Sequence, residues 1–266
     1  MFTCANDLAP PTHMSEEAFL PLLPPEATKP HHPISQNAAS SCVHHQCTWF
    51  YWLTWCALRF IAGCTMRVRW HGKAHAAHQG YLLACAHASH VDPFALSALW
   101  PQPIDWMARV ECFRRGWAAW AMRQLRAFSV NRSGVPVRAI RVARERLQKQ
   151  SVVGVFPEGE VRQGQSSVLH GGNIKRGVCL LALHSGRPIV PCLILGTPRL
   201  QRVEPYLPAR RGRLWLACGE PIYPPSIKLK GGERRIARLK MAAEVEAALR
   251  KLYAEAQVRW PETAQI

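Results

Sequence analysis

Acidic side chains are scarce in this 266-residue chain: 17 Asp and Glu stand against 34 Lys and Arg, for a formal net charge of +17. The scarcity is uneven. Residues 1–47 hold Lys29 against Asp7, Glu16, Glu17 and Glu26, a net of −3, which leaves +20 on residues 48–266. A body so poor in carboxylates expects anionic company: nucleic acid, phospholipid headgroups or phosphorylated substrates. The ten cysteines include no C-x-x-C pair, which removes the usual zinc and dithiol signatures. Cys42 and Cys47, with His44 and His45 between them, match no common ligand spacing, so a flexible segment is the expectation there rather than a metal site. The N-terminus lacks a positive start followed by an apolar core, so no secretory signal is read, and reduced thiols facing a cytosol are expected. There is no G-x-S-x-G elbow to present a serine nucleophile, and no internal repeat.

What is present divides in three. Residues 1–47, rich in Pro, Ala, Ser and His and without sustained period, read as a disordered leader. The texture changes at "TWFYWLTWCALRFIAGCTMRVRW", where Trp49, Trp52 and Trp55 recur every three residues. A bilayer crossing needs about 20 apolar residues, and Arg59 interrupts this run. Residues 48–70 therefore read as a helical segment lying at a membrane interface, where tryptophan prefers the headgroup level, with Arg59, Arg67 and Arg69 beside it. An aromatic helix buried in the core is the other reading. From Tyr81 onward, strand and helix signals alternate. "YLLACA", "SVVGVFPEG", "PIVPCLIL" and "RLWLACGEPI" are strand runs. Helices are expected over Pro93–Leu99, within "CFRRGWAAWAMRQLRAF" and "VPVRAIRVARERLQK", over Ile174–His184 with Gly186 at its end, and over Glu233–Ala256. Alternation of this kind implies an α/β fold with a mostly parallel central sheet flanked by helices.

Two stretches carry candidate chemistry. In "LLACAHASHVDPFALSAL" an apolar strand stops, a proline-led helix begins, and His87, His90 and Asp92 lie between. With His87 in the loop and Asp92 at the helix start, the loop folds back and the carboxylate takes a hydrogen bond from one imidazole nitrogen. A histidine held that way can take a proton from an alcohol at neutral pH. The plain alternative leaves Asp92 as an N-cap and His87 as a hydrogen-bonded loop residue. In "VFPEGEVRQG", Glu158, Gly159 and Arg162 follow another apolar strand, and Lys175 precedes the next helix. Backbone N–H groups and a guanidinium at a strand end can hold a phosphate, although Pro157 and Gly159 also suit a simple turn.

Together these blocks resemble the glycerolipid acyltransferase family, of the 1-acylglycerol-3-phosphate (lysophosphatidate) acyltransferase type. Its N-H-x-S-x-x-D block is matched by His87, Ser89 and Asp92, with Ala86 in place of asparagine. Its G-A-F-x-V-D-R block is matched in "RAFSVNR" by Phe128, Val130 and Arg132, with Asn131 in place of aspartate. Its F-P-E-G-T-R block is matched by Phe156 to Gly159, with the arginine one place late at Arg162, and its Val-Pro pair by Val190 and Pro191. The blocks run in order across residues 75–225, within a domain expected over residues 71–266. The resemblance implies acyl transfer from a thioester, on coenzyme A or acyl carrier protein, to a lysophospholipid hydroxyl. His87 would be the general base and Asp92 its orienting carboxylate. Arg132, Glu158, Gly159, Arg162 and Lys175 would position the acceptor's glycerol phosphate. No metal and no further cofactor is implied, and no nucleic acid: the arginines sit on helices beside tryptophans, with no nucleic-acid-binding fingerprint. The implied setting is a membrane phospholipid surface, with the site facing the cytoplasm. Two rivals stand beside this reading: the same chemistry on glycerol 3-phosphate, another lysophospholipid or a lyso-aminolipid, and a non-catalytic peripheral lipid-binding protein.

Overall fold

Every residue of Tyr81–Cys85 is apolar or aromatic, and a strand with two apolar faces needs cover on both. In the computed structural model, which describes residues 48–72, 80–114, 116–124, 126–130, 137–197, 212–225 and 230–263, this strand is buried at all five positions. It is β2, at the centre of a sheet with β1 (Met66–His71), β3 (Ile104–Arg109), β4 (Phe128–Val130), β5 (Val152–Val155), β6 (Ile189–Leu195) and β7 (Gly212–Cys218). The order across the sheet is β1-β7-β6-β2-β5-β3-β4. All neighbours run parallel except the antiparallel pair β6–β7. The helices are α1 (Thr48–Thr65), α2 (Asp92–Leu99), α3 (Gly116–Gln124), α4 (Val137–Gln148), α5 (Gly177–Ser185) and α6 (Gly231–Arg259).

The two-residue period of β2 sorts its side chains between two layers. Leu82 and Ala84 pack with Ala143 and Leu147 of α4, Cys179 and Ala182 of α5, and Val245 and Leu249 of α6. Tyr81, Leu83 and Cys85 pack on the opposite face with Leu96 of α2, Trp100 and Ile104. Each fully buried Leu or Val in these layers contributes roughly 1.5–3 kcal/mol. Glycine ends α5 as expected, with Gly186 at φ +69 in the left-handed region that favours it.

Four features differ from the sequence-based expectation. The helical segment stops at Thr65, and residues 66–70, expected to continue it, belong to the edge strand β1, paired in parallel with β7. The stretch after Cys112 does not form one helix: a short 3-10 turn over Val110–Phe113 precedes α3. Strand β4 begins at Phe128, the last residue of the expected helical stretch. Strand β3 was masked in the sequence by Asp105, a charge inside an apolar run. That carboxylate is buried and paired with Arg126 (Nε–Oδ1 2.6 Å) and Arg146 (Nη1–Oδ2 3.4 Å), which is the condition for keeping a charge there.

Helix α1 has two faces. Tyr51 and Ala62 are buried against the body, and Arg59 Nη1 donates to the carbonyls of Ala98 and Trp100, both at 3.3 Å. Burial pushes the Tyr51 phenol up to about 12. Trp52, Leu53, Cys56, Phe60 and Ile61 recur at helical spacing on the other side and are exposed, Phe60 by 74 %. No helix among the described residues is long and apolar enough to cross a membrane. The leader expected over residues 1–47 lies outside the described residues.

Candidate active site

Strands β2 and β5 are parallel neighbours, so the loops that leave them meet at the same edge of the sheet. That edge, outside the carboxyl ends of the strands, is where α/β folds assemble their sites. The two loops are stitched together through His87. Its backbone N–H donates to Glu158 Oε2 (2.6 Å), and its carbonyl accepts from the Arg162 N–H (2.8 Å). Gln163 Nε2 donates to the next carbonyl along the loop, that of Ala88, at 2.8 Å.

Asp92 is fully buried and turns back toward the loop it follows. Its Oδ2 accepts from His87 Nδ1 (3.0 Å) and from the backbone N–H groups of Ala88 and Ser89 (both 2.9 Å). The expected role as an N-cap is thus corrected: the carboxylate serves upstream donors, and the helix entry is shaped instead by Ser89, whose Oγ accepts from the Val91 N–H at 3.1 Å. Asp92 Oδ1 accepts from Thr197 Oγ1, at the end of β6. Two backbone N–H groups on the same oxygen mark Asp92 Oδ2 as an acceptor, so the tautomer that completes the set carries its proton on Nδ1 and leaves Nε2 to accept. Beneath the imidazole lies a stack of rings: Phe156 at 4.0 Å and 19° from His87, and Trp106 at 4.9 Å and 5° from Phe156.

His87 opens onto a cavity of about 720 Å³. Its walls are apolar: Met107 and Ala108 from β3, Ile140 from α4, Val155 from β5, and Val178 and Leu181 from α5. Polar side chains among the other lining residues include His90, Arg109, Glu160 and Lys175. This shape, an apolar chamber with few convergent polar groups, suits a ligand with a long apolar part and a polar end. Among the described residues no cluster of three or more His, Cys, Asp or Glu is placed to hold a metal.

The residues expected to hold the acceptor are placed unequally. Gly159 sits at φ +78 and lines the cavity. A Cβ built there would fall 2.9 Å from Lys175 Cδ and Nζ, so the Lys175 side chain lies directly across this glycine. Lys175 itself lines the cavity, and its N–H donates to the Pro157 carbonyl at 2.8 Å. Arg162 does not line it: its guanidinium meets Glu160 Oε1 through Nη2 (2.9 Å) and Nε (3.2 Å). Glu158 is fully buried, and both carboxylate oxygens are taken. Oε2 holds the His87 N–H, while Oε1 accepts from Ser167 Oγ (3.0 Å) and the Val168 N–H (2.8 Å). It has no face open to a ligand. Arg132 lies outside the described residues.

Residues 67–195 match the model of the Acyltransferase family. The chain is 26% identical to the 1-acyl-sn-glycerol-3-phosphate acyltransferase of Bacillus subtilis (strain 168) over 185 residues, 69% of this chain and 87% of that protein. It is also similar to the crystal structure of the 1-acyl-sn-glycerophosphate (LPA) acyltransferase from Thermotoga maritima, at 19% identity and a TM-score of 0.49, over 74% of this chain and 81% of that one. That family match spans both loops of the site, from β1 through the end of β6. Two of the site's side chains went unread in sequence. Phe156 belongs to the Phe-Pro-Glu-Gly block but carries no expected ring contact with His87, and Thr197, just past the family match, is 105 residues from the carboxylate it touches. The one signal for Thr197 was its position after β6, a strand that pairs with β2 and so ends at the same edge.

Proposed function

We propose that the chain is an O-acyltransferase that moves a fatty acyl group from a thioester to the hydroxyl of 1-acylglycerol 3-phosphate, giving phosphatidate, with His87 as general base. The observation that carries this reading is the His87–Asp92 pair, Nδ1 to Oδ2 at 3.0 Å, opening onto the apolar chamber that Lys175 and Gly159 also line. Nε2 takes the acceptor's hydroxyl proton as the oxygen attacks the thioester carbonyl. The C–S bond then breaks, and the departing thiolate of coenzyme A or acyl carrier protein recovers the proton from the imidazolium. Asp92 stabilises the imidazolium, and the face of Phe156 adds to it. The apolar walls receive an acyl chain, and Lys175 and Arg132 hold the acceptor phosphate. Glu158 acts on the chemistry through the loop that carries His87.

A panel of lyso-acceptors with one labelled acyl thioester, with products separated by mass, tests the acceptor. Phosphatidate as the dominant product supports the reading, and transfer to none of the panel ends it. Lys175→Ala should raise the acceptor's KM about tenfold while the donor's stays put; equal changes in both would remove Lys175 from phosphate binding. A second reading keeps the reaction and changes the acceptor. It is favoured by Glu160, which lines the cavity and occupies the Arg162 guanidinium, and it expects a lysophospholipid without a phosphate monoester, or a lyso-aminolipid, to dominate the panel.

The same proposal puts the protein on a membrane surface through the outer face of α1. Its exposed Trp52, Leu53, Phe60 and Ile61, with Arg67 and Arg69 exposed on the adjoining strand, suit an anionic bilayer interface. Leu53→Glu with Phe60→Glu should release the full chain from anionic lipid vesicles in sedimentation. Unchanged sedimentation would move the membrane contact elsewhere.

A further inference from the structure

Asp92 orients His87 only if the carboxylate itself cannot turn. His87 Nδ1 and the Ala88 and Ser89 N–H groups converge on Oδ2, and a partial rotation about the Cβ–Cγ bond would swing that oxygen out of line with them. Among the described residues the partner that holds Oδ1 is Thr197, fully buried itself and donating its hydroxyl from the end of β6. The backbone is shaped to aim it. Gly196, immediately before, has φ +95, and a Cβ there would fall 2.3 Å from the Arg213 carbonyl oxygen, so the turn demands glycine at that point. Thr197 thus reaches a carboxylate delivered by a different strand and helix, in a pocket that holds neither side chain open to water.

We infer that Thr197 is a positioning residue for acyl transfer: its hydroxyl locks the rotation of Asp92 and through it the Nδ1–H tautomer of His87. The inference rests on the reading of His87 as general base. Without the hydroxyl, Oδ1 is a buried oxygen with no partner among the described residues, and the carboxylate regains a rotation that competes with the His87 bond. The acceptor and donor sites are untouched, so the loss falls on the chemical step and not on binding.

The test compares the wild-type chain with Thr197→Val, which keeps the shape and removes the hydroxyl, Thr197→Ser, which restores it, and His87→Ala. Thr197→Val should lower kcat by about ten- to a hundredfold with both KM values nearly unchanged, and Thr197→Ser should return most of the loss. In protein with nitrogen-labelled histidine, the His87 ring should sit as the Nδ1–H tautomer in wild type and in Thr197→Ser, and as a mixture in Thr197→Val. Wild-type kcat and tautomer in Thr197→Val would overturn the inference. So would a Thr197→Ser variant as slow as Thr197→Val, which would assign the residue to packing. An active His87→Ala variant instead removes the general-base reading, and the labelled ring nitrogens still report whether Thr197 holds the tautomer.

Discussion

Replacing His87 with alanine should lower acyl transfer by about 10²- to 10⁴-fold, the range that a general base contributes. The protein should remain folded, because the ring lies at the wall of the cavity, its side chain 14 % exposed, and the contacts that hold the loops together belong to its backbone. The N–H bond to Glu158 and the carbonyl bond from Arg162 survive the substitution. A cooperative melt close to that of the wild type, with transfer lost, is therefore the expected pair of observations. Transfer at the wild-type rate would end the assignment of His87 as base, and a collapsed melt would recast it as a structural residue.

The second large effect is expected from Asp92→Asn. The amide has the shape of the carboxylate, and with its oxygen at the Oδ2 position it still accepts from the Ala88 and Ser89 N–H groups. Its nitrogen then faces Thr197, whose hydroxyl accepts as well as donates. The loop is preserved and the charge is lost. What disappears is the anion that stabilises the imidazolium as it forms, so kcat should fall by about 10²- to 10⁴-fold while the KM values hold. Steady-state kinetics with both substrates varied would check this. A rise in KM with kcat intact would place Asp92 in binding, contrary to its full burial.

The parts of this site that could be read in sequence are those set by the local chain. Strands β2, β5 and β6 are continuous apolar runs, and runs of that kind at the middle of a parallel sheet leave little choice of face or end. His87 and Asp92 flank one short loop between a strand and a helix, so their meeting follows from the turn that joins these elements. Side-chain direction was less visible. The Phe-Pro-Glu-Gly turn specifies where Glu158 sits and says nothing about which way it points. The donors that draw it inward, the His87 N–H and Ser167, come from 71 residues before it and 9 after. Arg162 is expected from sequence to help hold a phosphate, and its pairing with Glu160 depends on the loop's curvature, which the sequence does not display. Strand β3 was missed because its Asp105 looks wrong for a sheet until Arg126 and Arg146 arrive from other segments. Long-range polar pairing is what a single sequence conceals.

One measurement bears most directly on the direct transfer described here. Radiolabelled acyl thioester is mixed with the full chain, first alone and then with lysophosphatidate, and label is followed on protein and on lipid. The account expects no covalent label on the protein at any time, thiol release only after the acceptor is added, and labelled phosphatidate formed in step with it. Label bound covalently to the chain, or thiol released without acceptor, would contradict attack by a lipid hydroxyl that His87 activates.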